Sequence, residues 1–189
     1  EVEGIKVYTA LLGGTTGDAL KQMCMMSNDK GENGVMVLCG ESEGKYITFG
    51  AKERFDCQAW ANFAAKEYGE DMPLILDGIS MGASTVMSCA DKDLPEEVIG
   101  ILADCGYDCA ENIIKKVIRQ MGLPAGPAYP FVKLGARLFG RFDLEAVSPL
   151  MALPKAKVPV IFFHGEDDDF VPCEMSRINF EACASPKRL

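Results

Sequence analysis

Residues 73–84 read PLILDGISMGAS, a short apolar run leading into a serine with a glycine two positions away on each side. A serine hydroxyl acts as a nucleophile when the backbone presents it at a tight strand-to-helix turn and a base can take its proton. Strained backbone at such a turn leaves little room for flanking side chains, which accounts for Gly78 and Gly82. Ser80 is the candidate nucleophile. The backbone N–H of Met81 is the donor placed to meet the carbonyl oxygen under attack, aided by the positive end of the helix that follows. The same spacing recurs at Gly40-Glu41-Ser42-Glu43-Gly44. There the serine lies between two carboxylates that repel a developing oxyanion, and the residues after it carry no helix signal. After Ser80, by contrast, Ala83, Val86, Met87 and Ala90 recur at spacings of three and four until Asp91 and Pro95 end the run. Ser42 therefore reads as a loop residue.

A second chemical segment follows the apolar run Val160–Phe163: His164-Gly165-Glu166-Asp167-Asp168-Asp169-Phe170-Val171-Pro172. Carboxylates just past a buried strand, on the edge where the serine turn also opens, suit the acid that orients an imidazole in a Ser/His/acid triad. A solvated acidic turn is the alternative reading of the same residues. His164 is the one histidine of the chain. It sits at the strand end that carries the acid.

The elements that must position these groups alternate between strand and helix signals, as in an α/β fold with a mainly parallel sheet flanked by helices. Strands are expected at 5–12, 34–39, 74–76, 98–103 and 158–163. A glycine-rich turn at 13–17 precedes a helix over 19–26 capped by Asp18. An amphipathic helix over 53–68 offers Ala59, Trp60, Phe63, Ala64 and Tyr68 for its buried face. Between the last two strands, residues 106–157 form an insertion expected to act as a helical lid over the site. Its first helix carries Ile113, Ile114, Val117, Ile118 and Met121. A bend at Pro124, Pro127 and Pro130 then leads to a helix with Phe131, Leu134, Leu138 and Phe139. The span 107–142 holds six basic residues against two acidic ones. That asymmetry suits either an anionic substrate or, more simply, a solvated helix face.

The chain of 189 residues is long enough for one sizeable core and reads as a single domain over 1–189. A formal net charge of −9 disfavours nucleic acid or an anionic membrane surface as partner. No apolar run has the length of a membrane span, and the first residues lack a signal-peptide pattern. The eight cysteines show no C-x-x-C pair and no metal-finger spacing. Most lie in or beside apolar runs, as reduced thiols of a cytoplasmic protein do. No metal and no cofactor is expected.

Taken together, the segments GESEGKYITFG (40–50), GISMGAS (78–84), IGILADCGY (99–107) and VPVIFFHGEDDDFVP (158–172) resemble the α/β-hydrolases, close to bacterial serine hydrolases related to prolyl oligopeptidases and serine aminopeptidases. The resemblance implies an acyl-enzyme mechanism on the ester, thioester or acyl bond of a small substrate, or on a short peptide. It implies that Asp168 is the catalytic acid, in preference to Asp167 or Asp169, and that His164 has a structural role. The backbone N–H of Thr15, after Gly13-Gly14, would be the second oxyanion donor. The family's catalytic histidine follows one further strand, which here would begin at residues 185–189, and its first strands lie upstream of residue 1. The fold is thus expected to be incomplete over these residues, either as part of a longer chain or, less favoured, as a trimmed form of the fold. Cys39 stands where the family has a histidine. A non-catalytic binding protein of the same fold is the competing reading, and the oligomeric state is left open.

Overall fold

The computed structural model describes residues 6–12, 34–40, 48–68 and 72–189. The chain divides into two units, 1–46 and 47–189. In the first, strands β1 (Lys6–Leu12) and β2 (Gly34–Gly40) pair in parallel, from Lys6 opposite Gly34 to Leu12 opposite Gly40. The helix expected over 19–26 and the glycine-rich turn before it lie outside the described residues.

The second unit is a four-stranded parallel sheet flanked by helices. Its strands are β3 (Leu74–Ile79), β4 (Val98–Asp104), β5 (Val160–Phe163) and β6 (Lys187–Arg188), adjacent in chain order. Helix α1 (Glu53–Tyr68) precedes β3, and α2 (Met81–Cys89) follows it after one residue. Between β4 and β5 come α3 (Ala110–Gln120), α4 (Ala125–Gly135) with a π turn over Ala136–Gly140, and the short α5 (Pro149–Ala152). Helix α6 (Cys173–Ala182) joins β5 to β6.

Leu74, Leu76, Val98, Ile101, Ala103, Val160 and Phe162 project from one face of the sheet. They pack with Ala61 of α1 and with Ala83, Val86 and Met87 of α2 in one buried cluster. The alternation along β3 and β5 leaves Ile79, Ile161 and Phe163 on the other side, and these are exposed. A second cluster joins Tyr107, Ile113, Ile114 and Ile118 with Ala125 and Tyr129 of α4 and Val171 and Met175 beyond β5.

Helix α1 buries another face than its sequence suggests. In α1 the side toward the core is small: Ala61 is buried, with Cys57, Ala64 and Ala65 beside the cluster. Small residues let the helix approach α2 closely. Trp60 and Phe63 instead form an edge-to-face pair on the outer side, with ring centroids 5.6 Å apart, and Trp60 is 50% exposed. The proline bend is largely helix. Pro124 is the N-cap of α4, and Pro127 lies in its first turn, where a missing N–H costs little. Pro130 is accommodated within the helix. The buried residues of α4 are Ala125 and Tyr129, while its Phe131 (75%) and Leu134, and Leu138 and Phe139 of the π turn, are exposed.

Candidate active site

The site begins at the turn between β3 and α2. Ser80 is the single residue between them and adopts φ 55° and ψ −115°, a region that L residues rarely enter. Its N–H donates to the carbonyl of Asp104 at 2.8 Å, and its carbonyl accepts from the Ser84 N–H at 3.1 Å. The turn is tight enough that a Cβ on Gly78 would overlap the Gly82 carbonyl group and lie 2.6 Å from the Ala83 nitrogen. The two glycines are not equivalent. A Cβ on Gly82 meets nothing within 4 Å among the described residues, so it is the approach of Gly82's backbone to Gly78 that excludes a side chain, at Gly78.

The sheet register brings the other groups to the same edge. Ile79 pairs with Asp104 across β3 and β4, Asp104 pairs with Phe163 across β4 and β5, and the Cys105 N–H donates to the Phe163 carbonyl at 2.8 Å. Cys105 also has a positive φ, 46°. Burial pushes its thiol up from the ordinary range, partly opposed by a hydrogen bond from the Ser80 N–H, while the charges of Asp104 and Asp168 push it further up. Ser80, Cys105 and Asp168 therefore share one electrostatic neighbourhood. Sequence reasoning passed over Cys105, although its position just after the apolar run of β4 was the available signal. On the neighbouring edge strand β3, the Asp77 carboxyl is raised by burial and by the charge of Asp104. An open cleft of about 580 Å³ runs along the edge, bounded by Asp104, Phe163, His164, Glu166, Cys173 and Arg177.

Asp168 is held by its own turn. Its Oδ1 accepts the N–H groups of Phe170 and Val171, each at 2.9 Å, and Oδ2 lies 3.5 Å from His164 Nε2. Partial burial works against its charge, but the Val171 and Phe170 N–H groups, then His164 and Lys116, outweigh this and hold the carboxyl below the usual range. The neighbouring carboxylates have different surroundings. Asp167 is exposed, and Asp169 contributes its carbonyl, which accepts from Lys116 Nζ and, at 3.3 Å, from Gln120 Nε2.

The His164 side chain is fully buried, and both ring nitrogens are engaged: Nε2 with the Val171 carbonyl at 2.7 Å and Nδ1 with Ser176 Oγ at 2.6 Å. A carbonyl only accepts, so Nε2 carries the proton, and in the neutral ring Nδ1 accepts from the Ser176 hydroxyl. The ring ties the end of β5 to α6.

Basic residues between β4 and β5 are largely matched. Lys115 pairs with Glu111, Lys133 with Glu145 and Arg137 with Asp143, and Lys116 donates to the carbonyls of Asp169 and Phe170. These partners favour the solvated-face reading over an anion site. Thr15, Gly13, Gly14 and Ser42 lie outside the described residues, and Cys39 is in β2.

No family model matches the chain. It is 28% identical over 151 residues to an uncharacterized protein of Bacillus subtilis, YqkD, in a match covering 79% of this chain and 50% of that protein. The chain thus spans about half the length of the curated relative it matches. A puromycin-hydrolyzing peptidase of Mycobacterium tuberculosis superposes with a TM-score of 0.63 at 17% identity, over 100% of this chain and 30% of the other. An esterase of Pyrococcus furiosus gives 0.59 at 22% identity, over 96% and 69%. A lipase-esterase related protein of Clostridium acetobutylicum gives 0.57 at 16%, over 99% and 85%. These likenesses show an α/β-hydrolase-type fold. Among the described residues no helix is long and apolar enough to cross a membrane.

Proposed function

We propose that the protein is a serine hydrolase cleaving the ester, thioester or acyl bond of a small substrate through an acyl-enzyme on Ser80. The observation that carries this reading is the backbone of Ser80. Nothing about packing β3 against α2 requires an L residue in so strained a conformation, and strain of this kind concentrates where a side chain must be presented for chemistry. In the proposed reaction the Ser80 oxygen attacks the acyl carbon while a base takes its proton. The N–H of Met81, first residue of α2, donates to the oxyanion. Collapse expels the leaving group, and water releases the acyl group by the same steps in reverse order. Asp168, held ionised by its turn, orients the base and stabilises its charged form. The base is an imidazole that these 189 residues do not supply, because their one histidine is engaged at both nitrogens. The exposed apolar residues of α4 make the 106–157 insertion a lid suited to modest acyl groups. Short peptides are the alternative substrates of the same site.

A binding protein of the same fold without catalysis is the second reading, favoured by the engaged His164 ring. A fluorophosphonate probe applied to the whole protein separates the two. Covalent labelling at Ser80, absent from Ser80→Ala, is expected. No labelling of a folded whole protein overturns the hydrolase reading in favour of the second.

A further inference from the structure

Six described cysteines, Cys57, Cys89, Cys105, Cys109, Cys173 and Cys183, are thiols. Two of them meet away from the candidate active site. Cys89 closes α2 and is wholly buried, and its Sγ donates to the carbonyl of Arg54 in α1 at 3.3 Å. Cys57 lies one helical turn beyond Arg54 on the same face of α1, half-buried at the margin of the core. The helices pack directly together here, and the Arg54 carbonyl that Cys89 Sγ reaches belongs to the turn of α1 that leads to Cys57.

The charges around the pair favour thiolate chemistry. The Cys57 side chain draws the Cys89 thiol below its ordinary range in spite of burial, with further help from Lys92 and Arg54 and opposition from Asp91. A thiolate stabilised by a neighbouring thiol and two cations differs from an inert core cysteine. Access differs between the two: Cys57 is open to small solutes at one side, and Cys89 is not.

We propose that Cys57 and Cys89 form a peroxide-sensitive dithiol whose oxidation to a disulfide staples α1 to the C-terminal end of α2. The accessible Cys57 thiol reacts first. Its sulfur attacks one oxygen of hydrogen peroxide, the O–O bond breaks, and Cys57 becomes a sulfenic acid with loss of one water. The Cys89 sulfur, giving up its thiol proton, then attacks the Cys57 sulfur. The S–S bond forms as the S–O bond breaks, and the departing hydroxide takes up the Cys89 proton as a second water. Two thiols have been oxidised and one peroxide reduced to two waters. The bond closes a loop between neighbouring helices that the core already holds together, so it constrains the unfolded chain more than it alters the folded one. This inference does not depend on the role of Ser80.

Mass spectrometry after mild treatment with hydrogen peroxide tests it, with remaining thiols alkylated under denaturing conditions and the digest left unreduced. The expected result is a peptide pair joined through Cys57 and Cys89, lost on treatment with dithiothreitol. The melting temperature of the oxidised protein should rise by about 5 °C or more and fall back on reduction. Cys57→Ser, or Cys57→Ala should the serine variant fail to fold, should show neither the link nor the rise, whereas Cys173→Ser should show both. The proposal is overturned if Cys57 stays a thiol while other cysteines react. Oxidation of Cys57 to a sulfinic acid, or its pairing with any cysteine other than Cys89, overturns it equally.

Discussion

Backbone strain at Ser80 has a measurable consequence that is separate from catalysis. A non-glycine residue at φ 55° and ψ −115° raises the energy of the folded state by about 1–3 kcal/mol, which the Ser80 N–H bond to Asp104 and the start of α2 must offset. Ser80→Ala keeps that strain, and Ser80→Gly removes it at some cost in unfolded-state entropy. Both variants should lose turnover by several orders of magnitude, on the scale of triad nucleophiles. In urea titration Ser80→Gly should nonetheless be the more stable by about 1 kcal/mol. Equal stabilities would mean that the turn carries no strain, and full esterase activity in Ser80→Ala would remove the mechanism. Asp168 makes a parallel case. If it orients an imidazole, Asp168→Asn should lower turnover by about 10⁴, while Asp167→Asn and Asp169→Asn cost far less. Its carboxyl is held below the usual range, so its stabilising effect is present above about pH 4, the ordinary aspartate value, and is lost as pH falls through its folded value. Acid unfolding followed by circular dichroism should therefore be less steep in Asp168→Asn below pH 4. An unchanged acid profile would show that the turn does not favour the charged form.

At the scale of elements, the strand-turn-helix from Leu74 to Cys89 is the feature on which the site depends. Its order was legible in sequence because an apolar run, a glycine, and small residues at spacings of three and four each have one local meaning, although β3 runs on to Ile79 where the apolar run marked only 74–76. A Cβ on Gly78 would overlap Gly82, and backbone cannot yield as a side chain can. Gly78→Ala should thus destabilise the fold by about 1–3 kcal/mol, with a fall of several degrees in melting temperature. Gly82→Ala, with open space around its Cβ among the described residues, should fold nearly as well as the parent. The reverse order of sensitivity would mean that the turn is built differently. What sequence did not disclose was which face of a helix goes inward. In α1 the large aromatics Trp60 and Phe63 suggested the buried side, yet close packing on α2 favours the small side, Cys57, Ala61, Ala64 and Ala65. In α4 and the π turn after it, the apolar residues the sequence offers are Phe131, Leu134, Leu138 and Phe139, but it is Tyr129 that reaches the second core cluster while its hydroxyl donates to Glu145 at 3.2 Å. Periodicity says that a helix has two sides, and only the neighbour decides between them. The pairing of Cys57 with Cys89 was invisible for the same reason, because it depends on two helices meeting.

For the molecule as a whole, the limiting quantity is the number of imidazoles. The 189 residues contain one, on His164, wholly buried between the Val171 carbonyl and the Ser176 hydroxyl. Freeing that ring would leave a buried carbonyl and a buried hydroxyl without partners, at about 1–3 kcal/mol each. A base drawn from there would weaken the tie between β5 and α6, which follows the Asp168 turn. Without a base the Ser80 hydroxyl stays protonated at neutral pH, and water removes its proton poorly. A polypeptide of these 189 residues should therefore hydrolyse p-nitrophenyl acetate at close to the buffer rate, even with the β3–α2 turn correctly formed. His164→Gln should leave that rate unchanged and lower the melting temperature, since one amide cannot reproduce both contacts of the ring. The two readouts must separate for the assignment to hold. A rate well above buffer that vanished in both Ser80→Ala and His164→Gln would make His164 the base, and its bonds to Val171 and Ser176 a resting state that opens during turnover.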